Sequence, residues 1–353
     1  MEKFKRPMPT KFGTARIPAS IEKRERKKIE KIPSAVELNL GPEFRTIYEN
    51  NPHIRQVFLC NRPFKYKKVF TEYDRIINID KAPKETYRER KEEFKTVTHI
   101  GQRKLLIMEI EFLTNWAEPG DIVIYAGAAH GGHHEILSLL FKDVLFLLYD
   151  PGDFIIEENY NKVIEPGTMI TNRKIFKEFF TDSVANYLRN LYKENRILFI
   201  SDIRRMDANL PDEEKDKLIK GDMESQMRWV QILNPTASLL KFRLLYTPGQ
   251  MRYLDGFMYL QPWVGETSTE TRLLVLDNHK FRLYVNTSNE QAMFYHNIHT
   301  RTTYYESIED YDGKISCHCY DCVAELFILN KYAKKYNDKV DRLLNVINKK
   351  YYD

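Results

Sequence analysis

The sequence predicts an α/β fold: a mostly parallel sheet with an antiparallel edge and helices on both faces. Three observations carry this. Short unbroken apolar runs, at 122–126, 144–149 (VLFLLY) and 196–201 (RILFIS), alternate with helical patterns, as strands buried on both faces do. The first of them, Ile122-Val123-Ile124-Tyr125, runs into a turn holding Gly127, Gly131 and Gly132, followed by an amphipathic helix over 132–141. Beyond residue 238, strands succeed one another at 238–245, 256–261, 270–276 and 280–286 without helices between them, which points to antiparallel neighbours.

Taken in order, residues 1–50 read as a basic, unstructured arm. Residues 51–353 read as one domain, with an irregular N-terminal wrap over 51–100 and closing helices over 288–350. Gln102 to Ala117 has a wide apolar helical face ended by Pro119-Gly120. Helices are expected around 174–194, over 213–233 up to the break at Asn234-Pro235, and over 288–298 and 321–350.

Composition excludes several classes. The 353 residues are 42% hydrophobic and 30% charged. No apolar run approaches the ~20 residues of a membrane span. The first residues, MEKFKRPMPTKFG, lack the apolar core of a secretory signal. Four cysteines do not make a disulfide scaffold and suit a reducing, intracellular location. Residues 1–31 hold eleven Lys/Arg against four Glu, whereas the whole chain is only +5, so the basic character sits in the arm and the remainder is slightly acidic. Such an arm attracts polyanions without reading them.

In a parallel sheet, ligands bind beyond the C-terminal strand ends at the switch point. Asp150 and Asp202 stand there, beside the glycine turn. An acid after the second strand commonly pairs with a ribose, in NAD or S-adenosylmethionine proteins alike; a turn cap before Pro151-Gly152 is the alternative. Lys104, Asp202, Lys241 and Glu270 form the chemically distinctive set. A lysine inside an apolar strand needs partners. A lysine beside a second cation is pushed down from ~10.4 toward the range of a useful base, while carboxylates pull it back. Singly, Lys104 reads as a solvated helix start, Lys241 as a snorkelling edge residue and Glu270 as a surface cap; jointly they read as a site.

The segments IGQRKLLIMEIEFL, IVIYAGAAHGGHH, FLLYDPG, LFISDIRR, LNPTASLLKFR and STETRLLVL resemble the successive motifs of the poxvirus cap-specific mRNA 2′-O-methyltransferases, which are also the small, stimulatory subunits of poly(A) polymerase. More distantly they resemble FtsJ-type RNA 2′-O-methyltransferases with the same Lys-Asp-Lys-Glu order. The resemblance covers roughly residues 100–300. It implies a Rossmann-like S-adenosylmethionine-dependent methyltransferase fold and a catalytic tetrad of Lys104, Asp202, Lys241 and Glu270, with Lys241 as the base. It implies methyl transfer to the ribose 2′-OH of the first transcribed nucleotide of capped mRNA. S-adenosylmethionine would be lined by Gln102, Tyr125, Ala126, Gly127, Ala128, Gly131, His133, Asp150, Phe180 and Thr181. The cap and RNA would meet Tyr246, Glu290, Tyr87, Arg204 and Arg205. His130 and Gly152 depart from the family, which has proline and arginine there, and Thr247-Pro248 stands where one cap-reading acid is expected. The implied partners are capped mRNA and a poly(A) polymerase catalytic subunit, with no membrane. The implied source is another large DNA virus and the implied location the host cytoplasm, in the viral factory, with packaging into the virion a further implication.

The implied chemistry needs no metal. His133-His134 read as loop residues near the cofactor, not as metal ligands. Cys317, Cys319 and Cys322 offer one CxxC pair, with Cys60, His296 or His299 as remote completions of a zinc site; reduced cysteines opening a core helix are the alternative. Two other functions fit parts of the pattern. A non-catalytic RNA-binding processivity subunit of poly(A) polymerase needs no tetrad. A nicotinamide dehydrogenase shares the glycine turn and Asp150 but leaves Lys104, Lys241 and Glu270 unexplained together.

Overall fold

The computed structural model describes residues 66–67, 69–88, 101–162, 169–205, 209–265, 267–301, 304–305 and 319–352. The basic arm, Cys60 and Cys317 lie outside them. The elements in chain order are β1 (Tyr66–Lys67), β2 (Ile76–Ile77), α1 (Gly101–Trp116), β3 (Ile122–Ala126), α2 (His134–Leu140), β4 (Leu145–Tyr149), β5 (Asn159–Lys162), β6 (Met169–Phe176), α3 (Asp182–Leu191), β7 (Ile197–Ser201), α4 (Asp212–Leu233), β8 (Ala237–Phe242), β9 (Gln250–Leu254), β10 (Phe257–Tyr259), β11 (Thr271–Val275), β12 (Phe281–Val285), α5 (Asn286–Tyr295), β13 (Tyr304–Tyr305), α6 (Tyr320–Tyr336) and α7 (Val340–Tyr352).

Among the described residues, nine strands form the main sheet in the order β2-β10-β11-β8-β7-β3-β4-β6-β5. The central five, β8-β7-β3-β4-β6, are parallel. β11, β10 and β2 continue one side antiparallel, and β5 closes the other. The expected α/β architecture is therefore present, with antiparallel strands at both edges. Beside it, β9 and β12 pair antiparallel, and β1 pairs with β13. No helix among the described residues is long and apolar enough to cross a membrane.

Strand alternation sorts the core into two layers. Val123, Tyr125, Phe146, Leu148, Leu198, Ile200 and Leu239 face α1, α2, α6 and α7. Ile122, Ile124, Leu147, Phe199, Leu240 and Phe242 face α3 and α4. Strands buried on both faces need apolar residues at every position, which explains the continuous runs in the sequence.

Several elements differ from expectation. Residues 174–176 belong to strand β6, not to a helix. The polar residues Arg173 and Lys174 mask a strand whose Arg173 is buried and donates to the Glu157 and His134 carbonyls. The closing helix is two helices, because Asn337 takes a left-handed conformation (φ 53°) and caps α6. Strand β9 was not anticipated; it is short and pairs outside the main sheet.

Candidate active site

The chain reverses direction across the sheet at β3: β4 lies on one side and β7 on the other. The crevice therefore opens beyond the C-terminal ends of β3 and β7. Two contacts shape it. The Asp202 amide donates to the Ala126 carbonyl at 2.9 Å, extending the β3–β7 ladder, and the Gly127 amide donates to the Tyr149 carbonyl at 2.9 Å. Gly127 has φ +84°, and a Cβ there would lie 2.8 Å from the Ile203 amide nitrogen. Only glycine lets the first loop pass the loop after β7.

Alternation then decides which side chains reach the crevice from the antiparallel half. Ala237 and Leu239 face α1, so Lys241 at the end of β8 does too. Its register partner on β11 is Arg272. Lys104 comes from the first turn of α1, Asp202 follows β7, and Glu270 precedes β11. All four expected residues meet. Lys104 Nζ lies 2.7 Å from Glu270 Oε1, and Lys241 Nζ lies 3.2 Å from Asp202 Oδ1 and 3.6 Å from Glu270 Oε2.

Two members of the cluster were missed. Arg272, 2% exposed, places a guanidinium nitrogen 2.5 Å from Asp202 Oδ1 and 3.7 Å from Glu270 Oε1. Gln261 accepts from Arg272 Nε at 2.9 Å and donates to Glu270 Oε1 at 3.1 Å. Arg272 stands two residues after Glu270, and only the antiparallel register of β11 on β8, which sets it opposite Lys241, brings it to the cluster.

The charges set one another. Burial would raise the Asp202 pKa, but Arg272, then Lys241 and Lys104, outweigh it and hold it at about 2. Burial opposes ionisation of Glu270 too, and Lys104, Lys241 and Arg272 overcome it, so it stays well below the usual carboxylate range. Burial is also the main cause that lowers the Lys104 pKa, with Glu270 pulling it back up. Both carboxylates are thus anionic. With one lysine neutral, two cations face two anions in a water-poor crevice.

The glycine loop is the other wall. Gly127, Ala129 and His130 are partly or fully exposed, whereas Ala126 and Ala128 are buried beneath them. Asp150 follows β4, and its Oδ1 accepts from the Gly152 amide at 2.8 Å, the turn-capping role weighed from sequence. Its other oxygen has no hydrogen-bond partner among the described residues. Gln102 is half-buried and its Oε1 lies 2.7 Å from His133 Nδ1. Tyr125 and His133 are each 1% exposed and sit under the loop, not on its open side. Phe180 is buried against Tyr149 and Trp229. Thr181 caps α3, its Oγ1 accepting from the Val184 amide at 3.2 Å. A loop of glycines and alanines, with His130 its one large exposed side chain, at the C-terminal ends of two parallel strands and with a carboxylate oxygen nearby that has no partner among the described residues, fits an adenosyl ligand.

The RNA-side residues divide. The terminal guanidinium nitrogens of Arg204 are buried, and neither has a hydrogen-bond partner among the described residues. Arg205 donates through Nε to Asp222 at 2.7 Å. Tyr246 is 38% exposed, and Arg243 lies over its ring, 4.0 Å from the centroid. Its loop is held by Asp216, which accepts from the Tyr246 amide, the Thr247 amide and the Thr247 hydroxyl at 2.7–2.9 Å. One face of α5 links the rest. Asn286 donates to the Thr247 carbonyl at 2.8 Å, Glu290 is half-buried one turn on, and Phe294, a further turn on, holds Tyr87 edge-to-face at 5.2 Å. Tyr246 and Tyr87 thus approach opposite ends of a stripe ~12 Å long with Glu290 between them. Cys319 and Cys322 are buried at the start of α6.

No curated protein sequence matches the chain. Among solved structures, that of bluetongue virus VP4, described as a multifunctional RNA-capping production line, is similar at 14% identity with a TM-score of 0.38. The match covers 75% of this chain and 38% of VP4, so the chain spans well under half of that protein's length. The profile of the poly(A) polymerase regulatory subunit family matches residues 65–350. The chain belongs to that family, the poxvirus-type poly(A) polymerase regulatory subunits and 2′-O-methyltransferases that its motifs resemble.

Proposed function

We propose that this protein is a cap-specific mRNA (nucleoside-2′-O-)-methyltransferase. The observation that supports this most is the Lys104–Asp202–Lys241–Glu270 cluster at the mouth of a glycine-loop crevice. When bound, S-adenosylmethionine would supply a methyl group on cationic sulfur, whose carbon–sulfur bond breaks on transfer to leave a neutral thioether. The Gly127–Gly131 loop would hold it, with Gln102 and the free oxygen of Asp150 on the adenosyl and amino-acid parts.

Lys241 takes the proton of the ribose 2′-hydroxyl as that oxygen accepts the methyl. Asp202 and Glu270 fix the position of the Lys241 amine. Lys104 and Arg272 balance the two carboxylates, so a neutral Lys241 does not strand a buried anion. Most of the rate comes from holding the hydroxyl and the methyl in line. Arg204, next to the cluster, binds a backbone phosphate beside the reacting ribose once its buried guanidinium is uncovered. Tyr246, Glu290 and Tyr87 form the cap end, where Arg243 must leave the Tyr246 face for a methylated guanine to stack there.

A second role rests on the family: regulation of a poly(A) polymerase catalytic subunit, which coexists with the first. Both place the protein with viral mRNA in the host cytoplasm. The test is methyl transfer from labelled S-adenosylmethionine to short RNA with and without a cap. Transfer to capped RNA alone supports the reading. No transfer to either RNA refutes the enzyme, and equal transfer to both refutes the cap pocket. Tail lengthening in the presence of the cognate polymerase tests the second role, and an unchanged tail length refutes it.

A further inference from the structure

A second cluster lies beneath the glycine loop and is not used by the proposed reaction. Glu109 on α1 and the adjacent His133 and His134, at the N-terminus of α2, each offer one ligand atom, and these atoms lie within 4.8 Å of one another. All three side chains are buried, at 2%, 1% and 0% exposure.

Their outer atoms are engaged and their inner atoms are not. Glu109 Oε1 accepts from the Tyr125 hydroxyl at 2.7 Å. His133 Nδ1 lies 2.7 Å from Gln102 Oε1, an acceptor; in the neutral ring whose Nδ1–H donates to it, Nε2 carries a lone pair. That Nε2 faces Glu109 Oε2 at 3.0 Å, yet neither atom has a hydrogen-bond partner of proper geometry among the described residues. Among the described residues, neither ring nitrogen of His134 has a hydrogen-bond partner. Buried polar atoms are rarely left in this state. Four buried atoms on these three side chains lack hydrogen-bond partners among the described residues, and one ligand atom from each side chain converges on a common point, as around a bound ion.

We infer that Glu109, His133 and His134 bind a divalent transition-metal ion, with Zn²⁺ the best match. Two imidazoles and a carboxylate are a recurrent zinc donor set, with bonds of about 2.0–2.2 Å and a fourth position for water. The hydroxyl on the carboxylate and the amide on the histidine are the outer-shell bonds that orient such ligands. The sequence suggested the reverse for His133-His134, because adjacent histidines lack a familiar metal spacing and Glu109 comes from another helix. The ion would clamp α1 to the start of α2 and so set the floor of the glycine loop. Its binding does not depend on the methyl-transfer reading.

The probe is ZnCl2 added to the full-length, chelator-treated protein without cofactor or RNA. The expected result is one equivalent bound, a raised Tm, and an X-ray absorption shell of nitrogen and oxygen only. Glu109→Gln keeps an oxygen for Tyr125 and weakens binding at least tenfold. His134→Leu fills the same apolar space and abolishes binding. If His134→Leu does not fold, Glu109→Gln alone decides. No binding to the unmodified protein overturns the inference, leaving a His133–Glu109 pair that closes without an ion. Sulfur in the absorption shell, or unchanged affinity in Glu109→Gln, overturns it as well and moves the site to the cysteines near residue 319.

Discussion

Arg272→Met is the perturbation that examines the logic of the ion cluster. Arg272 is 2% exposed, touches Asp202 at 2.5 Å, and is the strongest influence lowering the Asp202 pKa. Methionine keeps much of the stem's volume while removing the charge. Asp202 is then a buried carboxylate without its nearest cation, and breaking such a pair costs ~3–5 kcal/mol. Lys241 remains 3.2 Å from Asp202, which places the expectation near the lower end, ~3 kcal/mol. Adding Asp202→Asn removes the stranded charge, so the double variant should recover ~1–3 kcal/mol of the summed single losses.

The acid dependence has a definite sign. The folded pKa of Asp202 lies below its ordinary 3.8, at about 2, so the pair's contribution is complete above 3.8 and is lost as pH falls through about 2. In Arg272→Met burial is less opposed, Asp202 protonates at higher pH, and the stability gap to the unmodified protein narrows below about pH 4. Urea unfolding followed by tryptophan fluorescence and far-UV circular dichroism, from pH 7 to pH 3, reads both effects. A loss under ~1 kcal/mol, or additivity of the two substitutions within ~0.5 kcal/mol, would refute the reasoning.

Three further outcomes follow from single contacts. Gly127→Ala forces a Cβ to 2.8 Å from the Ile203 amide at φ +84°, so a loss of ~2–3 kcal/mol is expected in a thermal melt, and an unchanged Tm contradicts the close approach. Arg204→Ala removes a buried unpartnered guanidinium: RNA binding should weaken with its salt slope reduced by ~1, and Tm should not fall. An unaltered slope would take Arg204 off the phosphate path. Asp216→Ala frees the Tyr246 loop from three hydrogen bonds, so affinity for capped RNA should drop by ~10-fold while that for uncapped RNA holds, and equal losses would contradict a cap role for that loop.

Much of the parallel core was legible because strands buried on both faces must be apolar throughout. Val123 to Tyr125 and Leu198 to Ile200 have no other reason to be so uniformly nonpolar. β6 was hidden because Arg173 and Lys174 break that rule, and Arg173 is accommodated by carbonyls from β-strand loops and α2 that sequence cannot place. The four charged residues were legible as oddities, two lysines and two acids at the ends of apolar segments. Arg272 was not, because its role depends on the antiparallel register with Lys241. Glu109 was hidden for a related reason. On a helix it reads as one polar break in an apolar face, and only the packing of α1 against α2 turns it toward His133.

The most direct measurement locates the methyl group. Capped RNA is incubated with the protein and S-adenosylmethionine, digested with nuclease, and the first nucleotide is weighed by mass spectrometry. The ribose of that nucleotide should gain one methyl on its 2′-oxygen. Lys241→Ala should yield none while still binding S-adenosylmethionine by calorimetry. A methyl on the base, or full transfer by Lys241→Ala, would contradict the assignment of Lys241 as the group that takes the 2′-hydroxyl proton.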